Sequence, residues 1–324
     1  MFSNRLCVVR RSPLARPVLA RTASAVIAAV LVTGALAGCS ALSLDGGCDI
    51  AAGDASTTIT ATGDLGSTPA VDFPTPLVVD APEASVLSGA DGAAIESGSM
   101  VFGNAVYFDA ASGASIGESP QFFSTGDAGL AIGSALACAT ADSRVAVVGT
   151  AGDLSANADL VQAVGGDTLI VAVIDVEQVF LGKANGVNQL PQDGMPTVVT
   201  AVDGTPGISS TYVPAAEEAR TSVIKAGGGA TVTADDTVVF HARSWSWTAG
   251  ATATVTLGQI DTWSAGSPVA LIPTADALIG EQALVDALVG SKVGSQLLIV
   301  IPVADDPTAA TVYVFDILGI LPQD

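Results

Sequence analysis

The sequence predicts an α+β protein in which one unit, an antiparallel sheet wrapped around a short helix, occurs twice. Three observations lead there: an internal repeat that keeps its order, branched apolar runs of strand length, and a short helix read most clearly in the second copy. The repeat is seen where residues 135–148 line up with residues 287–300, so that Ala135 falls on Ala287 and Arg144 on Gln296. Each copy reads as a helix end, a small turn and a strand. After a polar loop each then closes on a second strand, 168–179 and 311–320, and both closing strands carry an aspartate, Asp175 and Asp316.

The elements follow from local pattern. Runs such as 168–174 and 296–301 are rich in Val, Ile and Leu, which favour strands because branched side chains pack well on a pleated surface. Residues 101–108 and 237–247 are the long strands that precede the helix in each copy. In the second copy Leu284, Ala287 and Leu288 recur at helical spacing, Glu281, Gln282 and Asp286 face the other way, and Gly290 ends the turn. Residues 181–235, rich in Gly, Pro and Thr, hold a linker and the first strands of the second unit.

The first forty residues bear on location. Arg5, Arg10, Arg11, Arg16 and Arg21 precede a short apolar stretch, no acid occurs before Cys39, and the stretch ends Leu36, Ala37, Gly38, Cys39. A basic start, a short apolar core and small residues at the cut describe a secretory signal peptide. The apolar run falls short of the about 20 residues that span a bilayer. The ending resembles the bacterial lipobox, which implies that Cys39 is the lipidated first residue of a protein held at the outer face of the cell membrane. An unlipidated signal peptide, a signal anchor and twin-arginine export through Arg10 and Arg11 are the alternatives. Expected boundaries are a signal peptide over 1–38, a tether over 39–60, the first unit over 61–183, the linker and first strands over 184–226, and the second unit over 227–324.

Without residues 1–38 the chain keeps 6 of its 11 Lys+Arg and all 32 Asp+Glu, a net charge of −26. Such a surface repels phosphate backbones, so nucleic acid is excluded as a partner. The membrane is reached only through the lipid. Cys7 leaves with the signal peptide and Cys39 takes the lipid, so Cys48 and Cys138 are expected to pair in an oxidising compartment. With His241 the only histidine, a Cys/His zinc site within one chain is excluded. Asp235-Asp236 and Asp305-Asp306 lack the spacing of a calcium loop and read as turns. Gly227–Gly229 lacks the strand-to-helix setting of a phosphate loop, and no cofactor is expected.

Four segments of the second unit resemble an FKBP-type peptidyl-prolyl cis-trans isomerase domain. They are 232–241 leading to His241, Ile260-Asp261-Thr262 with Gly266 and Pro268, 288–295 with Ile301-Pro302, and Val314-Phe315-Asp316-Ile317-Leu318. The first unit resembles the family only through its repeat relation to the second. The resemblance implies two FKBP-like domains and, as partners, proline-containing polypeptide segments whose Xaa-Pro bonds are rotated in an apolar pocket. No nucleophile is needed, because a dehydrated pocket favours the twisted amide over the planar one, against a barrier of about 20 kcal/mol. Carried over residue by residue, the pocket comprises Asp261, Ile260 beside it, Leu284 in place of the floor tryptophan, and Phe315 on the closing strand. Ala242 replaces a pocket tyrosine, and the aromatic loop after Pro302 is absent. The expected function is therefore a weakly active isomerase assisting the folding of exported proteins, or a non-catalytic chaperone or interaction lipoprotein of the same fold. Trp245 and Trp247 share a strand face and read as core before groove.

Overall fold

A computed structural model describes residues 50–322, except 90, 126–129, 156–157, 210–216 and 249–253. Cys39 and Cys48 lie outside the described residues. Cys138 is disulfide-bonded.

A short ribbon of β1 (Thr60–Thr62) and β2 (Ala70–Asp72) precedes the first sheet. That sheet comprises β3 (Glu83–Ser88), β4 (Met100–Asp109), β5 (Ser115–Ser124), β6 (Arg144–Thr150) and β7 (Leu169–Phe180). Helix α1 (Ala131–Leu136) precedes β6, and α2 (Ala151–Leu154) and α3 (Ala158–Val164) lie between β6 and β7. The second sheet takes β8 (Val187–Asn188), then, after the hairpin β9 (Thr197–Thr200) and β10 (Pro206–Ser209), the strands β11 (Arg220–Ala226), β12 (Thr237–Thr248), β13 (Thr254–Asp261) and β14 (Val269–Leu271). Helix α4 (Gln282–Leu288) leads into β15 (Gln296–Val303) and β16 (Asp306–Leu321).

The repeat is a repeat of topology. The five-stranded sheet runs β3-β6-β7-β4-β5, and the seven-stranded sheet contains β11-β15-β16-β12-β13 in the corresponding order, with β8 outside β11 and β14 on β12. All the pairings are antiparallel. The irregularities recur too. β7 bulges at Glu177, opposite Phe102 and Gly103 of β4, and β16 bulges at Leu318, opposite Val239 and Phe240 of β12. β3 bulges between Val86 and Ser88, and β11 between Val223 and Lys225. A bulge sets local twist and aims the side chains beyond it, so matching bulges keep matching residues on matching faces.

Each sheet is covered on both faces. On the inner face of the first, Val101, Ala105, Val145, Val147 and Ile174 pack with Ile132, Ala135 and Leu136 of α1. On that of the second, Phe240, Leu297, Ile299, Phe315 and Ile317 pack with Leu284 and Leu288 of α4. Burying each such leucine is worth about 1.5–3 kcal/mol. Gly290, with φ +87°, turns the chain away after α4. The outer face of the first sheet takes Ala55, Ile59 and Leu77 against Ala146, Val148, Val171 and Val173. The outer face of the second takes Met195, with Val198 and Ile208 of the β9–β10 hairpin, against Trp245, Trp247, Leu298, Val300, Val312 and Val314. A shared cluster of Met100, Phe180, Val239 and Leu318 joins the two sheets.

Two expectations need correction. The tether does not run to residue 60, because Ala55 and Ile59 are buried under the first sheet. Of the linker and first strands expected over 184–226, β8 and β11 are strands of the second sheet and β9–β10 cover it. The polar loop expected after β6 carries α2 and α3, whereas β15 and β16 meet at a tight turn where Asp305 takes φ +67°. Among the described residues no helix is long and apolar enough to cross a membrane.

Candidate functional site

The four residues expected at a prolyl pocket divide into two pairs. Leu284 and Phe315 are each 1% exposed and belong to the inner core of the second sheet. They do not stand on an open wall: Phe240 lies 5.0 Å from Phe315 between ring centroids, and Tyr313 and Leu278 fill the space around them. The core encloses Leu284 on the helix side of the sheet. Ile260 packs half-buried against the same cluster. Asp261 ends β13 opposite Arg243, with Nη2 to Oδ2 at 3.1 Å. Its Oδ1 accepts the Ser264 N–H at 3.1 Å and its Oδ2 the Ser264 hydroxyl at 2.6 Å. Partial desolvation raises the Asp261 carboxyl, but the Ser264 hydrogen bonds and the Arg243 charge together hold it below the usual aspartate range. An aspartate held in this way caps a turn and is committed to those partners.

In the first half the corresponding core is also packed, but a cleft lies beside it. Register places Ile174 opposite Ala105 as Phe315 stands opposite Ala242, and the repeat alignment places Ile132 where Leu284 falls. Ile132 lines a cleft of 410 Å³ with Tyr107, Phe122, Phe123 and Leu130, and Ala265–Ser267 of the second half close one side. Phe122 stacks obliquely on Phe102 with centroids 5.1 Å apart. The Tyr107 hydroxyl accepts a hydrogen bond from Gln121 Nε2 at 2.6 Å. Burial pushes its pKa up to about 12, against the opposing effect of that bond, so it stays a neutral phenol. An aromatic-walled recess with one polar handle suits an apolar ring next to an amide group. Sequence reasoning missed it because the first half carries only the repeat relation; the aromatic content of 102–123 was the available signal.

His241 and Trp263 form a third constellation. Their rings stack with centroids 4.3 Å apart, and His241 Nδ1 pairs with Thr262 Oγ1 at 2.8 Å. They line a 340 Å³ cavity between the sheets with Lys183 and Asp203. Burial lowers the histidine pKa to about 4, against an opposing pull from Asp261, so the ring is neutral near pH 7. Trp245 and Trp247 are core, 5% and 1% exposed. Among the described residues no group of three His, Cys, Asp or Glu side chains is placed to hold a metal ion.

No protein-family model matches the chain, and no curated protein sequence matches it. Among solved structures, the crystal structure of the three FKBP domains of wheat FKBP73 is similar over 75% of this chain and 95% of that one, at 14% identity and a TM-score of 0.28. At that score the likeness carries nothing further.

Proposed function

We propose that the protein is a lipid-anchored, extracytoplasmic polypeptide-binding protein of tandem FKBP-like build, which holds proline-containing segments without accelerating their isomerisation. The observation that carries this reading is the contrast between the halves. Leu284 and Phe315 are shut into the core at 1% exposure, and their equivalents Ile132 and Ile174 are likewise buried, but beside Ile132 the residues Tyr107, Phe122 and Phe123 wall a cleft. Isomerisation needs the amide drawn into a dry recess, and a filled core offers none. Binding needs only a surface on which a proline ring can lie, which an aromatic cleft supplies.

One observation favours weak catalysis as a second reading: Ile260 and Asp261 stand side by side at the edge of the same core. A single experiment separates the two. The chain lacking residues 1–38 is mixed with an Xaa-Pro peptide, and both binding and the rate of cis-trans exchange are measured. Saturable binding, weakened about tenfold or more by Phe122→Ser, with exchange at the spontaneous rate, is the expected result. Acceleration that disappears in Asp261→Ala overturns it in favour of catalysis at the second half.

A further inference from the structure

The outer faces of the two sheets offer an internal comparison, because the same positions are closed in one half and open in the other. In the first half Arg144 and Asp175 pair across β6 and β7, with Nε to Oδ1 at 2.5 Å and Nη2 to Oδ2 at 2.7 Å. The segment covering that face completes the set. The carbonyls of Gly63 and Asp64 accept from Arg144 at 3.1 and 3.2 Å, the Gly66 N–H donates to Asp175 at 2.9 Å, and Ser56 Oγ meets Ser85 Oγ at 2.9 Å. Every polar side chain in that set has a partner.

Register carries these positions into the second half. Gln296 faces Asp316 as Arg144 faces Asp175. Ser222 stands opposite Leu298 as Ser85 stands opposite Ala146, and Lys225 opposite Gln296 as Ser88 stands opposite Arg144. One cover contact persists, the Ala184 N–H to Asp316 Oδ2 at 2.8 Å, and Gln296 Nε2 donates to Asp316 Oδ1 at 2.8 Å. The others have no counterpart. Ser222 is 1% exposed and Gln296 is 0% exposed, yet Ser222 Oγ and Gln296 Oε1 have no hydrogen-bond partner within the protein. A buried polar atom left unpaired costs about 1–3 kcal/mol, so two together in one half, when their equivalents are satisfied in the other, require an explanation.

Both residues line one cavity of 530 Å³ between the sheet and the β9–β10 hairpin. Its volume lies in the range of small-molecule sites, about 300–1,000 Å³. Lys183 and Lys225 also line it, two of the three lysines in a chain whose net charge is −21. Lys225 Nζ donates to the Ala184 carbonyl at 3.1 Å and Lys183 Nζ to the Val202 carbonyl, which leaves each ammonium with further N–H groups. Met195 and Leu298 supply apolar wall. Cation, acceptor and hydroxyl thus line one cavity in a protein that is otherwise strongly acidic.

We propose that this cavity binds a small hydroxy- or amino-carboxylate, its carboxylate held by Lys225 and Lys183 and its hydroxyl or amino group hydrogen-bonded to Gln296 Oε1 and Ser222 Oγ. Such a ligand supplies the donor that Gln296 lacks and the anion that two lysines attract. The site is separate from the aromatic cleft and does not depend on polypeptide binding.

The test titrates the chain lacking residues 1–38 with L-serine, L-lactate and diglycine in a calorimeter. Propionate, which lacks the donor, and ethanolamine, which lacks the carboxylate, are the controls. At least one of the three probes is expected to bind saturably, and both controls about tenfold or more weaker. Gln296→Arg copies the arrangement of the folded first half, fills the cavity and is expected to abolish binding while leaving the circular dichroism spectrum intact. Lys225→Gln is expected to weaken binding about tenfold or more without affecting the fold. Absence of saturable heat with all three probes, equal binding of propionate, or binding unchanged in folded Gln296→Arg overturns the proposal.

Discussion

Replacing Arg144 with methionine removes one partner of a pair that is 2% exposed on each side. The Asp175 carboxylate then loses two charge-assisted hydrogen bonds, at 2.5 and 2.7 Å, and keeps only the Gly66 N–H at 2.9 Å. Breaking a buried pair from one side costs about 3–5 kcal/mol, because the remaining charge stays out of water without compensation. The Gly63 and Asp64 carbonyls add little to this, since both residues are exposed and water replaces the guanidinium. Methionine preserves most of the side-chain volume, so a cavity contributes little. Urea unfolding followed by far-ultraviolet circular dichroism measures the loss, and Asp175→Asn should show a loss in the same range. The double variant Arg144→Met with Asp175→Leu removes both charges and should recover most of the stability. A loss below about 1 kcal/mol, the level of an exposed pair, refutes the reasoning, as does a double variant no more stable than Arg144→Met alone.

Two further predictions concern His241 and Cys39. Burial lowers the His241 pKa to about 4 from 6.5, so the unfolded chain takes up this proton at higher pH than the folded one. The contribution of the neutral ring is full above about pH 6.5 and is lost as pH falls toward 4, on the order of 3 kcal/mol in all. The difference in unfolding free energy between the protein and His241→Asn should therefore shrink over that window; a flat difference from pH 7 to pH 4 contradicts it. Burial raises the Asp316 pKa in the opposite sense, with stability present at low pH and lost as pH rises through its folded value, so the comparison must be made against the variant. For the anchor, a fatty-acid probe fed to cells should label the protein, and Cys39→Ala should abolish the label; labelling that persists in the variant removes the lipid from the account.

The parts of the fold legible in the sequence were those that bury most. Strands β7 and β15 read as branched apolar runs because both of their faces are covered, and α4 read clearly because Leu284 and Leu288 face the core while Gly290 supplies a left-handed turn. The aligned aspartates were visible as Asp175 and Asp316, but their partners were not, since Arg144 and Gln296 meet them only through cross-strand register. The covering segments were illegible. β1 and β9 alternate between exposed and half-buried positions, and so short a pattern looks like loop. The pocket residues were placed in the correct elements, since Leu284 lies on α4 and Phe315 on β16. Whether a pocket opens there depends on what surrounds them, and the filling by Phe240, Tyr313 and Leu278 comes from three separate segments.

The two halves share topology, register and bulges, yet each leaves a different face accessible. In the first half the outer cover supplies hydroxyl and carbonyl partners to Ser85 and Arg144, so that face is structural and the recess lies on the inner side, beside Tyr107 and Phe122. In the second half the inner side is filled by Leu284 and Phe315, and the outer cover leaves Ser222 and Gln296 unpartnered over a cavity. A duplicated unit permits this because the stability of each sheet requires both faces to be mostly covered, not covered by the same groups. A single exchange, Arg144 in one copy and Gln296 in the other, changes what the outer face presents. The guanidinium fills the space and saturates its own donors on the cover. The shorter amide reaches Asp316 and leaves its acceptor without a partner beside the cavity. The chemistry of each face is thus set by side-chain length at one register position and by the cover laid over it.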